Sequence, residues 1–340
     1  MWSSLVRRAI PLTTVAERLE TADNDFLDLH WSTNLAHTVP DYVDRQANME
    51  LADSDSTTDK VSDVVCIFHG LAGSINSSYA SAAFKNLQTL GFAVVFMHFR
   101  GCSSEPNRQP YAYHSGHTED IDFLVKTVKA RCPDCRIHAL GFSLGANALL
   151  KYMGETGDDS LFTSAVAVAP PFILQSGADK MNRGFSKIYQ HHLLTRMKKQ
   201  LAEKRELYPE HNLPDETIVS HLNTFWEFDD KITGPLHGFK DADDYYTQSS
   251  CRQYLPQIKR PTHIIYALDD PFFEPSVVPE EAELPEDVNL ELPTAGGHVG
   301  FVSGPLPWKA NYWLDEYVPQ LLARFRDQSI LKTNNKGVSN

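Results

Sequence analysis

Four short apolar runs rich in β-branched residues, at 64–68, 93–97, 137–140 and 165–169, alternate with segments of helical spacing. This pattern constrains the fold more than any other feature of the chain. Strands that succeed one another through helices run parallel, and a parallel sheet needs helices on both of its faces. In the stretch 119–129, Ile121, Leu124, Val125 and Val128 fall on one face of a helix. Helices are also expected at 79–90 and 144–153, and a half-buried strand at 26–31, where apolar and polar residues alternate.

The alternation stops at Pro170. From 171 to 257 the chain is rich in charge and helix formers, is broken by Pro209 and Pro214, and is punctuated by Trp226, Phe228, Tyr245 and Tyr246. Strand texture resumes at 263–268 and 288–292, and a final helix is expected at 309–325. The expected organisation is an α/β core in two parts, 1–170 and 258–330. A mainly helical lid at 171–257 interrupts the core, 53–62 form a surface loop, and 331–340 form a disordered polar tail. The basic run 198–205 alternates with Gln, Glu and Leu and is expected to be a solvated helix face.

Composition excludes several classes of function. The 340 residues are 42% hydrophobic and 22% charged, an ordinary globular balance that can bury a sizeable core. A formal charge of −13 repels phosphate backbones, so no nucleic-acid partner is expected. No run approaches the roughly 20 apolar residues of a membrane span. The first residues, MWSSLVRRAIPL, lack a small-residue cleavage site and are not expected to act as a signal peptide. Five scattered cysteines argue against a disulfide framework and for a cytoplasmic location. Cys132-Pro-Asp-Cys135 has redox spacing, but it precedes a strand and is expected to be a plain turn. Neither HExxH nor a dinucleotide fingerprint occurs, and the His191-His192 pair has no third ligand at suggestive spacing, so neither metal nor cofactor is expected.

The chemistry is carried by Gly141-Phe-Ser143-Leu-Gly145, which sits between an apolar strand and a helix. A random chain of this length gives roughly 0.1 such pentapeptides, so the strand-to-helix context decides its meaning. A tight turn there exposes the Ser143 hydroxyl above the sheet. A serine needs a base, and in this arrangement an acid and then a histidine follow it along the chain. Asp269 comes directly after the expected strand 263–268, and His298 lies in the glycine-rich Ala295-Gly-Gly-His-Val-Gly300. Asp269 is the expected acid because it is nearest the strand end; its neighbour Asp270 precedes Pro271 and is the alternative. An oxyanion needs two backbone N–H donors. Leu144, next to the nucleophile, and Leu71, in the loop His69-Gly-Leu-Ala-Gly73, are the expected pair.

These segments, together with Phe99-Arg-Gly-Cys-Ser103, Tyr113-His-Ser-Gly116, Phe228-Asp-Asp-Lys-Ile-Thr233 and Gly296-Gly-His-Val-Gly-Phe301, resemble the YheT-like branch of the α/β-hydrolases, whose animal relatives form the ABHD1/ABHD3 group. The likeness runs from about residue 19 to 325. It implies the α/β-hydrolase fold, a triad on Ser143, Asp269 and His298, and hydrolysis of lipid or short-to-medium acyl esters. Some members imply an alternative, transfer of the acyl group to an alcohol. A third alternative is a binding protein that keeps the fold without catalysis. The resemblance also implies that the chain starts late, without the family's His-Leu-Gln-Thr lead-in. His117-Thr-Glu-Asp-Ile-Asp122 fits an HxxxxD pattern discussed for acyltransferases, at an expected helix start where acidic residues suit the dipole.

Overall fold

The computed structural model describes residues 7–38, 61–304 and 310–337. Eight strands form one sheet: β1 (Thr14–Glu20), β2 (Phe26–Ser32), β3 (Asp63–Phe68), β4 (Ala93–Met97), β5 (Arg136–Phe142), β6 (Ser164–Val168), β7 (Thr262–Ile265) and β8 (Val288–Glu291). Their order across the sheet is β1-β2-β4-β3-β5-β6-β7-β8. β1 pairs with β2, and β2 with β4, in antiparallel fashion. The other pairs are parallel. A parallel strand covered on both faces should be apolar throughout. β4 and β6 are buried along their whole length, and so is β3, including its acidic first residue, Asp63.

Helices of eight residues or more are numbered α1 (Ser78–Thr89), α2 (Glu119–Arg131), α3 (Leu144–Thr156), α4 (Leu174–Met181), α5 (Ser186–Leu207), α6 (Ala242–Ser249) and α7 (Trp313–Gly337). One face of the sheet packs on α2 and α3 through Phe68, Leu124, Leu149 and Phe162. The opposite face packs on α1 and α7 through Phe84, Phe96, Val318 and Leu322. Between β6 and β7 the chain leaves the sheet and builds a third cluster of its own from α4, α5, α6 and short helical turns, around Leu194, Leu201, Phe225 and Tyr245. Leu71 and Phe272 are half-buried side chains shared between this cluster and the main core. Asn147, on α3, fixes the end of the insertion. Its amide donates to the Ser115 and Ser249 carbonyls at 2.8 and 2.7 Å, and its oxygen accepts from the Cys251 amide at 2.9 Å.

Several expectations are corrected. Cys132 and Cys135 form a disulfide, not a plain turn. The turn is present, with the Cys135 amide donating to the Cys132 carbonyl at 3.1 Å. It holds the two Cα atoms 5.3 Å apart, within disulfide reach. β1 has no counterpart in the sequence reading. The helix α7 runs on to Gly337, past the break expected at 331, because no breaker intervenes in Leu-Lys-Thr-Asn-Asn-Lys. The basic run is not wholly solvated. Lys204 is buried and donates to Asn107 Oδ1 and to the Gln109 and Tyr111 carbonyls. Burial pushes its amine down to about 8. Most of the loop expected at 53–62, and residues 338–340 of the expected tail, lie outside the described residues. Among the described residues no helix is long and apolar enough to cross a membrane.

Candidate active site

β5 leads into Ser143 and α3 leads out of it. Ser143 sits at φ 51°, ψ −118°, a conformation that costs a side-chain-bearing residue about 1–3 kcal/mol. It is over-determined by its surroundings: its amide donates to the Val168 carbonyl at 2.8 Å, and its carbonyl accepts from the Asn147 amide at 3.0 Å. The flanking glycines are steric necessities. A Cβ on Gly141 would lie 2.7 Å from the Ala146 Cα, and one on Gly145 would lie 2.5 Å from the Phe68 and His69 carbonyl oxygens.

The loop after β8 carries His298 to this turn. His298 Nε2 lies 2.7 Å from Ser143 Oγ. The partner of Nδ1 is Asp270, whose Oδ2 lies 2.7 Å away, and not the expected Asp269. The physical reason is where β7 ends. The strand stops at Ile265, three residues before the end read from the sequence, and the turn closed by the Asp270 amide on the Ala267 carbonyl at 3.2 Å swings the second aspartate inward. The Asp270 carboxylate is 1% exposed, and its Oδ1 also accepts from the Phe272 amide at 2.9 Å. Asp269 stays exposed and has a different task. Its Oδ1 accepts from the Gly296 and Gly297 amides, both at 2.8 Å, which clamps the start of the histidine loop. Gly297, at φ 63°, lets that loop turn. The rings of Phe272 and Phe273 flank His298 at 4.8 and 6.1 Å between centroids.

On the other side of Ser143 lies the loop His69–Gly73. His69 is fully buried, and burial pulls its imidazole down to about 3, so it stays neutral. It accepts from the Phe99 amide through Nε2 at 3.1 Å and meets the Gly70 carbonyl through Nδ1 at 2.7 Å, which makes it a support for the loop and not a base. Two tyrosine hydroxyls, which the sequence reading missed, accept the amides on either side of Leu71. Tyr79 takes that of Gly70 at 3.0 Å, and Tyr113 takes that of Ala72 at 2.8 Å. Among the described residues no protein acceptor meets the Leu71 or Leu144 amides, and both residues border the same cavity as Ser143. Tyr113→Phe frees the Ala72 amide and loosens this loop. The expected result is about a fivefold fall in kcat/KM, equivalent to one hydrogen bond of about 1 kcal/mol, with an unchanged circular dichroism spectrum.

The cavity above Ser143 has a volume of about 320 Å³. Its walls are Leu174, Met181, Leu193 and Phe225 from the insertion and Phe272 and Phe273 from the core. Among the described residues one carboxylate faces it, Asp229, which accepts from Thr233 Oγ1 at 2.6 Å and from the Tyr246 hydroxyl at 2.7 Å. Burial outweighs these bonds and raises it to about 6. The HxxxxD residues do not form a second site. His117 faces Asp120, and Asp122 pairs with Lys126 at 2.6 Å. His191 and His192 are exposed on α5.

Residues 63–305 match the family described as the alpha/beta hydrolase fold. A protein of Escherichia coli K12 named "Putative esterase YheT" is 38% identical over 96% of this chain and 89% of its own length. The chain belongs to the α/β-hydrolase family, in its YheT-like branch. This hydrolase is also 29% identical to the "Monoacylglycerol lipase" of Saccharomyces cerevisiae, over 81% of the chain and 62% of that longer protein. Among solved structures, the esterase Pf2001 of Pyrococcus furiosus aligns with the hydrolase over 93% of this chain and 91% of its own, with a TM-score of 0.55 at 17% identity, a likeness of fold alone.

Proposed function

We propose that this hydrolase cleaves carboxylic esters with medium-length or lipid acyl groups, using Ser143 as nucleophile, His298 as general base and Asp270 as the acid that orients it. The observation that carries the reading is the continuous relay of two 2.7 Å contacts from Asp270 through His298 to Ser143. A serine on a strained turn, hydrogen-bonded to an imidazole that a buried carboxylate orients, is the arrangement acyl transfer needs. His298 Nε2 takes the Ser143 proton as Oγ attacks the ester carbonyl. The carboxylate of Asp270 accepts the Nδ1–H and stabilises the imidazolium. The Leu71 and Leu144 amides receive the oxyanion. His298 then protonates the departing alcohol, which leaves an acyl group on Ser143. Water, deprotonated by His298, attacks this acyl-enzyme, the acid leaves and Ser143 is restored.

The helical insertion acts as a lid that closes the apolar cavity over the strand ends. A volume of about 320 Å³ is at the small end of ligand pockets, which run from about 300 to 1,000 Å³. A medium chain therefore fits better than a long one. The relatives named esterase and monoacylglycerol lipase support the same class of substrate. A panel of p-nitrophenyl esters from acetate to palmitate tests this. The expected optimum of kcat/KM lies from hexanoate to decanoate, with free acid as the main product even when ethanol is added. Absence of turnover across the whole panel would remove the reading.

A further inference from the structure

We propose that His114, His117 and His237 form a site for one divalent transition-metal cation of the zinc class, which ties the helical insertion to the core beside the acyl cavity. His114 and His117 belong to the core segment ahead of α2, and His237 follows the short helical turn Gly234–Leu236 of the insertion. One ligand nitrogen from each ring lies within 4.8 Å of the other two. The rings pack with centroids 5.3 Å apart for His114 and His117, and 4.7 Å apart for His114 and His237.

Two nitrogens of the cluster are buried with no hydrogen-bond partner among the described residues. His237 Nδ1 donates to the Thr233 carbonyl at 2.9 Å, and Nε2 is buried without a hydrogen-bond partner of good geometry among the described residues, the Ala112 backbone being another polar group that acts on the ring. His117 Nε2 faces the Asp120 carboxylate at 3.5 Å, and its Nδ1 is likewise buried and unpartnered. Buried polar atoms are nearly always satisfied, so two unpartnered nitrogens within one three-histidine cluster call for an occupant. The outer partners, a backbone carbonyl on one ring and a carboxylate on the other, are those that stand behind metal-bound imidazoles. His114 offers the third nitrogen at a small cost. The Gly116 amide donates to its Nδ1 at 3.2 Å, so binding through Nε2 moves the ring proton to Nδ1 and gives up this long contact. With Zn–N bonds of about 2.1 Å, tetrahedral ligands lie about 3.4 Å apart, so the rings draw in by about an ångström. Three neutral imidazoles and no carboxylate among the donors favour zinc, nickel or copper over magnesium or calcium. Access exists from two sides. His114 borders the acyl cavity, and His237 borders a second cavity of about 170 Å³.

Tag-free, chelator-dialysed full-length protein, titrated with zinc chloride at neutral pH by calorimetry and followed by thermal melting, tests the proposal. One equivalent should bind, and Tm should rise by about 4 °C once free zinc exceeds Kd a hundredfold. Magnesium should do neither. His237→Asn and His117→Asn should each weaken binding by about 10–100-fold or more. X-ray absorption at the zinc edge of the loaded wild-type protein, which needs no variant to fold, should show three imidazoles. The proposal is overturned if the wild-type protein binds no zinc, the result expected of a cluster that merely holds a water. It is equally overturned if His237→Asn titrates like wild type, or if the zinc shell contains sulfur or fewer than three imidazoles.

Discussion

Ser143→Ala is expected to lower kcat on p-nitrophenyl esters by at least about 10⁴-fold while the melting temperature stays within a few degrees of wild type. Removing the nucleophile leaves the oxyanion donors and the cavity, and such remnants still accelerate hydrolysis over water by about 10³–10⁴-fold. A residual rate is therefore expected, and it should no longer respond to serine-directed inhibitors. The fold has no reason to fail. Among the described residues the Ser143 hydroxyl bonds only His298, whereas the turn is held by the backbone bonds to Val168 and Asn147. Full activity in a folded Ser143→Ala protein would mean that another group does the chemistry.

The second large effect separates two adjacent aspartates. Asp270→Asn should lower kcat by about 10⁴-fold, the loss seen when an amide replaces a triad carboxylate and presents the histidine with the wrong hydrogen-bonding partner. Asp269→Asn should cost only about tenfold, because Oδ1 can still accept from the Gly296 and Gly297 amides and hold the histidine loop. Steady-state kinetics of the two variants side by side provide the test. Equal losses, or a larger loss at 269, would contradict the assignment of the acid.

That pair also shows where the sequence stops being informative. Ser143 and His298 are legible because glycines surround both, and glycine marks places where the backbone must pass close to something else. The glycine requirement is physical at 145, where any Cβ would strike the Phe68 and His69 carbonyls. Nothing comparable distinguishes Asp269 from Asp270. A one-residue choice depends on where β7 ends, and strand ends are set by tertiary pairing more than by local propensity. β1 went unread for a related reason. Thr-Val-Ala-Glu-Arg-Leu-Glu is rich in helix formers, and the strand forms because it pairs with β2 along its whole length, with Glu17 bonded to Trp31 Nε1 at 2.8 Å and to Arg131 at 2.7 Å.

The parallel core is legible at the level of strand and helix because buried strands must be apolar throughout. The supports of the loop beside Ser143 are not. Tyr79 and Tyr113 look like ordinary aromatic residues until their hydroxyls are seen on the Gly70 and Ala72 amides. The three-histidine cluster was hidden in the same way, since His237 lies about 120 residues along the chain from its two partners. No spacing rule can find ligands that only the docking of the insertion brings together.

Intact-mass analysis after treatment with a fluorophosphonate tests the central claim most directly. The account predicts a single stoichiometric adduct on the Ser143 peptide of the native protein, and none after His298→Ala or prior denaturation. A folded, untreated protein that takes up no label, or that carries it on a different residue, would contradict the account.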